Sequence, residues 1–212
     1  MTERPPLLVL GAGGHARVVA DALLAAGESV AGFIDARPSS GGELVTGLPV
    51  LGTDEELLAG RWPGSPIANG LGRLPLRRNL QERLQAAGRP IVGARHPAAI
   101  ISPFAHVDPT AQVFAGAIVQ AGARVGAGCI INTGAIIEHD CQLGEFTHCG
   151  PGSILCGGVR TGAEVHVGAG AVIREGVFAG PGLVLGAGAA MVRDHEGGGV
   201  LTGVPARPVV RA

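Results

Sequence analysis

Hydrophobic positions follow two different rules along this chain, and the rule changes near residue 97. From Ile101 to Ala190 the chain divides into blocks of six without one insertion: ISPFAH, VDPTAQ, VFAGAI, VQAGAR, VGAGCI, INTGAI, IEHDCQ, LGEFTH, CGPGSI, LCGGVR, TGAEVH, VGAGAV, IREGVF, AGPGLV and LGAGAA. The first position is Ile, Val or Leu except at Cys149, Thr161 and Ala179. The fifth is mostly small and the fourth mostly Gly. Such a unit is a short strand plus a turn, and three units close one triangular coil of 18 residues. Fifteen blocks make five coils, stacked to about 24 Å at ~4.8 Å per coil. First and fifth positions then point inward, and the others face outward or lie at the turn. Glycine in the fourth position suits a turn with positive φ.

Residues 1–96 alternate strand and helix signals instead. "LLVL" followed by "GAGGHARVVADALLAAG" predicts a strand, a glycine turn and a helix. "SVAGFIDA", "SPIANG" and "RPIVGARHP" predict further strands. "TDEELLAG" starts a short helix with Thr53 as its cap. "LRRNLQERLQAAG" is a helix with apolar residues at 76, 80, 84 and 87. This alternation implies a small Rossmann-like parallel α/β domain, and its length suggests one half of a doubly wound sheet. The expected organisation is thus an α/β domain at 1–96 and a β-solenoid at 97–212. The tail "GVLTGVPARPVVRA" leaves the repeat and packs along the prism.

Composition agrees with layers of small side chains. The chain has 37 Gly, no Tyr and one Trp among 212 residues. Its formal net charge of −1 provides no basic face for nucleic acid or an anionic membrane. No apolar run reaches membrane-spanning length. Four cysteines (129, 141, 149, 156) show no CxxC pair, and reduced thiols in a cytoplasmic protein follow.

Two clusters carry chemistry. Gly11, Gly13 and Ala16 fit the G-x-G-x-x-G/A fingerprint, with Gly14 and His15 opening the helix and Asp35 ending the next strand. Backbone N–H groups there suit a phosphate. A domain this small fits a mononucleotide or nucleotide-sugar diphosphate better than NAD. His15 is either a hydrogen-bonding residue at the helix start or a substrate contact. The second cluster is "IIEHDCQLGEFTHCG", residues 136–150. In register, Ile137 and Cys141 point inward, while Glu138, His139 and Asp140 point outward. An imidazole flanked by carboxylates suits a general base. His148 and His166 share the sixth slot one coil apart and should stack.

The repeat resembles that of hexapeptide-repeat acyltransferases. The "GAGGHA" turn, the core "NTGAIIEHDCQLGEFTHCGPGSILCGGV" and the closing "GVPAR" together resemble bacterial sugar N- and O-acetyltransferases. The family includes UDP-4-amino-sugar and GDP-perosamine N-acetyltransferases and sialic acid O-acetyltransferase-like proteins. The resemblance implies a left-handed parallel β-helix, a cytoplasmic homotrimer with sites between subunits, and acetyl-CoA as co-substrate with no metal. It implies His139 as base and Asp140 as its orienting acid. Some relatives carry Glu at the latter position. It further implies acetyl-CoA contacts from His148, Gly157, His166 and Gly168, with outward glycine edges such as Gly158 lining the groove. Gly11, Gly13, Gly14, His15 and Asp35 then form a nucleotide-sugar pocket. The implied reaction is N-acetylation of a nucleotide-linked amino sugar.

Four other readings stay open. They are O-acetylation of a sugar hydroxyl, a Cys156 acyl-enzyme route, a zinc hydratase using His148 and His166, and a non-catalytic binding solenoid. The segment "RPSSGGELVTGLP" (37–49) is expected to shape the sugar pocket but has no readable code.

Overall fold

The computed structural model describes residues 5–36 and 44–209. The chain folds as two compact units, residues 1–97 and 98–212.

The first unit alternates strand and helix: β1 (Leu7–Leu10), α1 (Gly14–Ala25), β2 (Val30–Ile34), β3 (Leu44–Val45), β4 (Leu48–Gly52), α2 (Asp54–Leu58), β5 (Ile67–Asn69), α3 (Leu74–Ala86) and β6 (Ile91–Val92). The sheet order is β3-β4-β2-β1-β5-β6, all parallel except the β3–β4 hairpin. This corrects the expectation of a half sheet, because parallel strands flank β1 on both sides. The hairpin was not expected because its first strand has only two residues. Its signal was Thr46-Gly47, both with positive φ (48° and 80°), as a two-residue turn of this hand requires. β1 and β2 are almost wholly buried, as strands covered on both faces are.

The face of α3 also differs from expectation. Leu80 and Leu84 are buried as predicted, but Leu76 and Ala87 are exposed, and Arg77 and Gln81 take the inner positions. Gln81 serves there as a polar partner: Asn69, buried at the end of β5, donates to the Gln81 side chain (3.2 Å) and to the backbone carbonyl of Arg77 (2.9 Å).

α2 begins with a reciprocal cap. Glu56 N–H donates to Thr53 Oγ1 and Thr53 N–H donates to Glu56 Oε2. The Glu56 carboxyl lies below its ordinary pKa, first through the Thr53 backbone bond and then through Arg61. Thr53→Ala is expected to cost about 1 kcal/mol in thermal or urea unfolding. The carboxylate half of this cap is present above the usual Glu range and is lost as pH falls through the lowered value.

The second unit is a parallel β-helix of three walls. The first wall stacks strands from Ile100–Ile101 to Ala190–Met191, and the second runs from His106–Val107 to Phe178–Ala179. The third runs from Gln112–Val113 to Gly199–Thr202. Strands pair in parallel with those 18 residues away, as Ile118↔Ile136 and Ile130↔His148 do. First and fifth positions build the interior, with Ile131, Ile137, Cys141, Leu155 and Ile173 all at zero exposure. All ten fourth-position glycines, from Gly116 to Gly188, have positive φ. The six-residue phase therefore maps onto the backbone without a slip. The tail extends the third wall instead of lying along the prism. Gly199–Thr202 pairs parallel to Leu183–Leu185, and Arg207–Pro208 folds back antiparallel.

The outer faces differ. On the second wall His106, Arg124, Gln142 and Arg160 are exposed. The first wall presents a ladder of Ile100, Ile118, Ile136, Ile154 and Val172, with Ile100 exposed and the others half-buried. No described helix is long and apolar enough to cross a membrane.

Candidate active site

Ile137 is fully buried, which forces the next three residues out to the edge between the first and second walls. The turn is tied to both neighbouring coils: Glu138 N–H donates to Leu155 O (3.0 Å) and Asp140 N–H to Ala121 O (3.2 Å). Asp140 occupies the left-handed region at φ 59°, where Asp is better tolerated than most residues. Its carboxylate meets the preceding ring, with Asp140 Oδ2 2.9 Å from His139 Nδ1. An ionised carboxylate only accepts, so Nδ1 carries the proton and Nε2 keeps its lone pair. The two side chains are 66% and 72% exposed. A pair so exposed contributes little to stability; it determines the tautomer. Among the described residues only Asp140 holds the imidazole, correcting the picture of a ring between two carboxylates. Glu138 is half-buried one slot earlier, where its charge bears on Cys156 and Cys141.

His148 and His166 pair as neighbours on the third wall, ring centroids 4.8 Å apart and edge to face at 86°. Asn132, which sequence reasoning passed over, places its Nδ2 3.3 Å from His148 Nε2. The Asn132 amide donates, so His148 Nε2 accepts and its proton sits on Nδ1. Asn132 Oδ1 accepts from Thr133 N–H (2.9 Å), which fixes the amide orientation. The only clue was an Asn in the second slot of "INTGAI". The β-helix register therefore puts the His139–Asp140 pair and the His148–His166 pair on different faces.

In the first unit, Gly11 adopts φ 88° and Ala12 N–H donates to Asp35 Oδ2 (2.9 Å). Asp35 thus braces the glycine turn. Gly13 and Gly14 are exposed, and the N-terminus of α1 has no side-chain cap and no acid in its first turn. Its first N–H groups favour an anion. Ala16 is fully buried, and a Cβ on Gly70 would stand 2.7 Å from the Ala16 Cβ. These small residues let α1 approach β5. Gly72 packs beside His15, so the loop after β5 faces the loop after β1, where the strand order reverses.

Residues 6–84 match the PglD N-terminal domain family. Over 97% of both chains the protein is 37% identical to a perosamine N-acetyltransferase from Caulobacter crescentus, a variant in complex with CoA and GDP-perosamine (TM-score 0.92). It is 38% identical to the acetyltransferase domain of PglB from Neisseria gonorrhoeae in complex with acetyl coenzyme A. That match covers 98% of this chain and 100% of the other (TM-score 0.92). The chain belongs to the hexapeptide-repeat sugar acetyltransferase family. These are acyltransferases that use acetyl-CoA as co-substrate. WeeI from Acinetobacter baumannii shares the fold at 21% identity (TM-score 0.87).

The thiols of this acetyltransferase are poorly disposed for nucleophilic work. Cys129, Cys141 and Cys149 are buried. Burial pushes the Cys141 thiol up to about 11 and the Cys149 thiol well above its usual range. The half-buried Cys156 is raised too, by burial first and then by Glu175 and Glu138. Among the described residues no group of three or more His, Cys, Asp or Glu is arranged to hold a metal. Gly157 and Gly158 are half-buried. Gly168 is buried instead of facing outward. A Cβ there would stand 2.5 Å from Ala187 N, so coil stacking alone demands glycine at that position. The segment expected to shape the sugar pocket lies outside the described residues as far as 43.

Proposed function

We propose that this acetyltransferase moves the acetyl group of acetyl-CoA onto the amino group of a nucleotide-linked amino sugar, with His139 as general base. The observation that carries the reading is the His139–Asp140 hydrogen bond, which leaves Nε2 free to take a proton. Support comes from a relative that binds CoA and GDP-perosamine and aligns over nearly the whole chain. The amine nitrogen attacks the thioester carbonyl as Nε2 removes its proton. The C–N bond forms, the C–S bond breaks, and the CoA thiolate leaves and takes that proton back from the imidazolium. Asp140 steadies the imidazolium in between. No acyl-enzyme is required. Cys156→Ala is therefore expected to leave kcat unchanged, and trapping with radiolabelled acetyl-CoA should find no acetylated cysteine.

The uncapped N-terminus of α1, with Gly11, Gly13, Gly14 and His15, is the proposed seat of the nucleotide diphosphate, braced by Asp35. His148, oriented by Asn132, and His166 are assigned to the thioester end of acetyl-CoA, with Gly157 beside it. His148 and His166 stand on a different face from His139, and Gly157 lies one coil above His139. The proposed homotrimer would bring one copy's His139 to a neighbour's His148. The first-wall isoleucine ladder is the apolar surface available for that assembly. The protein would act in the cytoplasm.

The test is an acetyl-CoA turnover assay against nucleotide-linked amino sugars, with sialic acids and their hydroxyl counterparts in parallel. Transfer to an amino sugar nucleotide is expected. Transfer only to hydroxyls would replace this reading with O-acetylation.

A further inference from the structure

Both halves of the His139–Asp140 pair rest where a side chain is missing. A Cβ on Gly157, one coil above His139, would stand 2.5 Å from His139 Nε2 and 2.6 Å from Cε1. A Cβ on Gly122, one coil below Asp140, would stand 2.4 Å from Asp140 Oδ1. Real Cβ atoms do not approach so closely. The backbone holds both ends of the arrangement, since Gly158 N–H donates to the His139 carbonyl (2.8 Å) and Asp140 N–H to the Ala121 carbonyl. The ring and the carboxylate are exposed, so they can turn aside into solvent. An added methyl group would therefore turn them aside and break the 2.9 Å contact before it disturbed the coils.

We infer that Gly157 and Gly122 are positioning residues: their missing side chains hold the imidazole and the carboxylate in register. The inference rests on His139 being the base. Gly157 is the cleaner probe, because its φ is not in the left-handed region and the three atoms nearest an added Cβ all belong to the His139 ring. Gly122 has φ 76°, so its substitution also strains the backbone. Gly182 supplies the matched control. It has φ 71° on another edge of the prism, and its nearest neighbour to a Cβ is Gly198 Cα at 4.0 Å.

The experiment is a double-mutant cycle on steady-state kinetics, with thermal unfolding as the folding check. Gly157→Ala and Gly122→Ala should each lower kcat about 10- to 100-fold, the scale of a misplaced reacting group, and Gly122→Ala, which is not among the proposed acetyl-CoA contacts, should leave KM for acetyl-CoA unchanged. Gly182→Ala should lower kcat little and match Gly122→Ala in lost stability. In the His139→Asn background neither positioning substitution should lower kcat further. Equal losses in both backgrounds, a loss confined to KM, or wild-type kcat would overturn the inference. If Gly157→Ala does not fold, Gly122→Ala reads the same coupling through Asp140 against its control. Should His139→Asn itself keep wild-type turnover, the base assignment fails instead, and the two failures are told apart.

Discussion

Replacing His139 with Asn is expected to lower kcat by about 10²- to 10⁴-fold, the usual contribution of a positioned general base. Folding and acetyl-CoA affinity should be unchanged. The substitution is mild in every respect but one. Asn can still donate to Asp140, and the His139 side chain is two-thirds exposed, so no core contact is lost. What disappears is the lone pair at Nε2. Asp140→Asn should cost less. Asn tolerates the left-handed backbone at this position, and the imidazole stays, but no charge holds its tautomer or steadies its protonated form. Turnover with acetyl-CoA and the best acceptor from the panel, alongside a melting curve, measures both. Wild-type turnover in His139→Asn would leave the pair no role in proton transfer.

A large loss of stability is expected from Gly162→Ala, with Gly144→Ala close behind. These glycines occupy the second slot of blocks one coil apart, following strands of the second wall. A Cβ on Gly144 would stand 2.5 Å from Gly162 C and O, and one on Gly162 would stand 2.5 Å from Pro181 N. The obstacle is backbone, held by Gly144 N–H donating to Thr161 O and Gly162 N–H to Ala179 O. Relief therefore means prying coils apart. The cost should be at least about 3 kcal/mol, at the upper end for overpacking. Gly152 makes the useful contrast, with φ 64° and nothing within 4 Å of an added Cβ. Gly152→Ala incurs only the left-handed backbone cost, about 1 kcal/mol. Urea unfolding of the variants would separate the two reasons for glycine. Equal midpoints for Gly162→Ala and Gly152→Ala would show that coil approach is not the constraint.

These two sites show what was legible in advance and what was not. The phase of the repeat placed Ile137 inside and His139 outside, and the 18-residue coil placed His148 over His166; the strand pairing has both. Asn132 was missed because a single Asn in a turn slot looks like ordinary turn chemistry. Its meaning depends on a ring 16 residues away. The helix α3 was read by apolar spacing, yet Arg77 and Gln81 face inward, and the Gln81 side chain there accepts from Asn69 on β5. The β3–β4 hairpin was overlooked because its first strand has two residues, too few for a periodic signal.

By itself the sequence determined the two-unit organisation, the solenoid and its register. A strict period of six with aliphatic first positions has one economical way to bury them, and a one-residue slip would turn every one of them outward. Only the tertiary structure decided which carboxylate meets the imidazole, which glycines are required by space and which by φ, and that the two histidine sites stand on different faces. Those are relations between neighbouring coils and walls. They depend on how backbones 18 residues apart superpose, and no local pattern of letters encodes that distance.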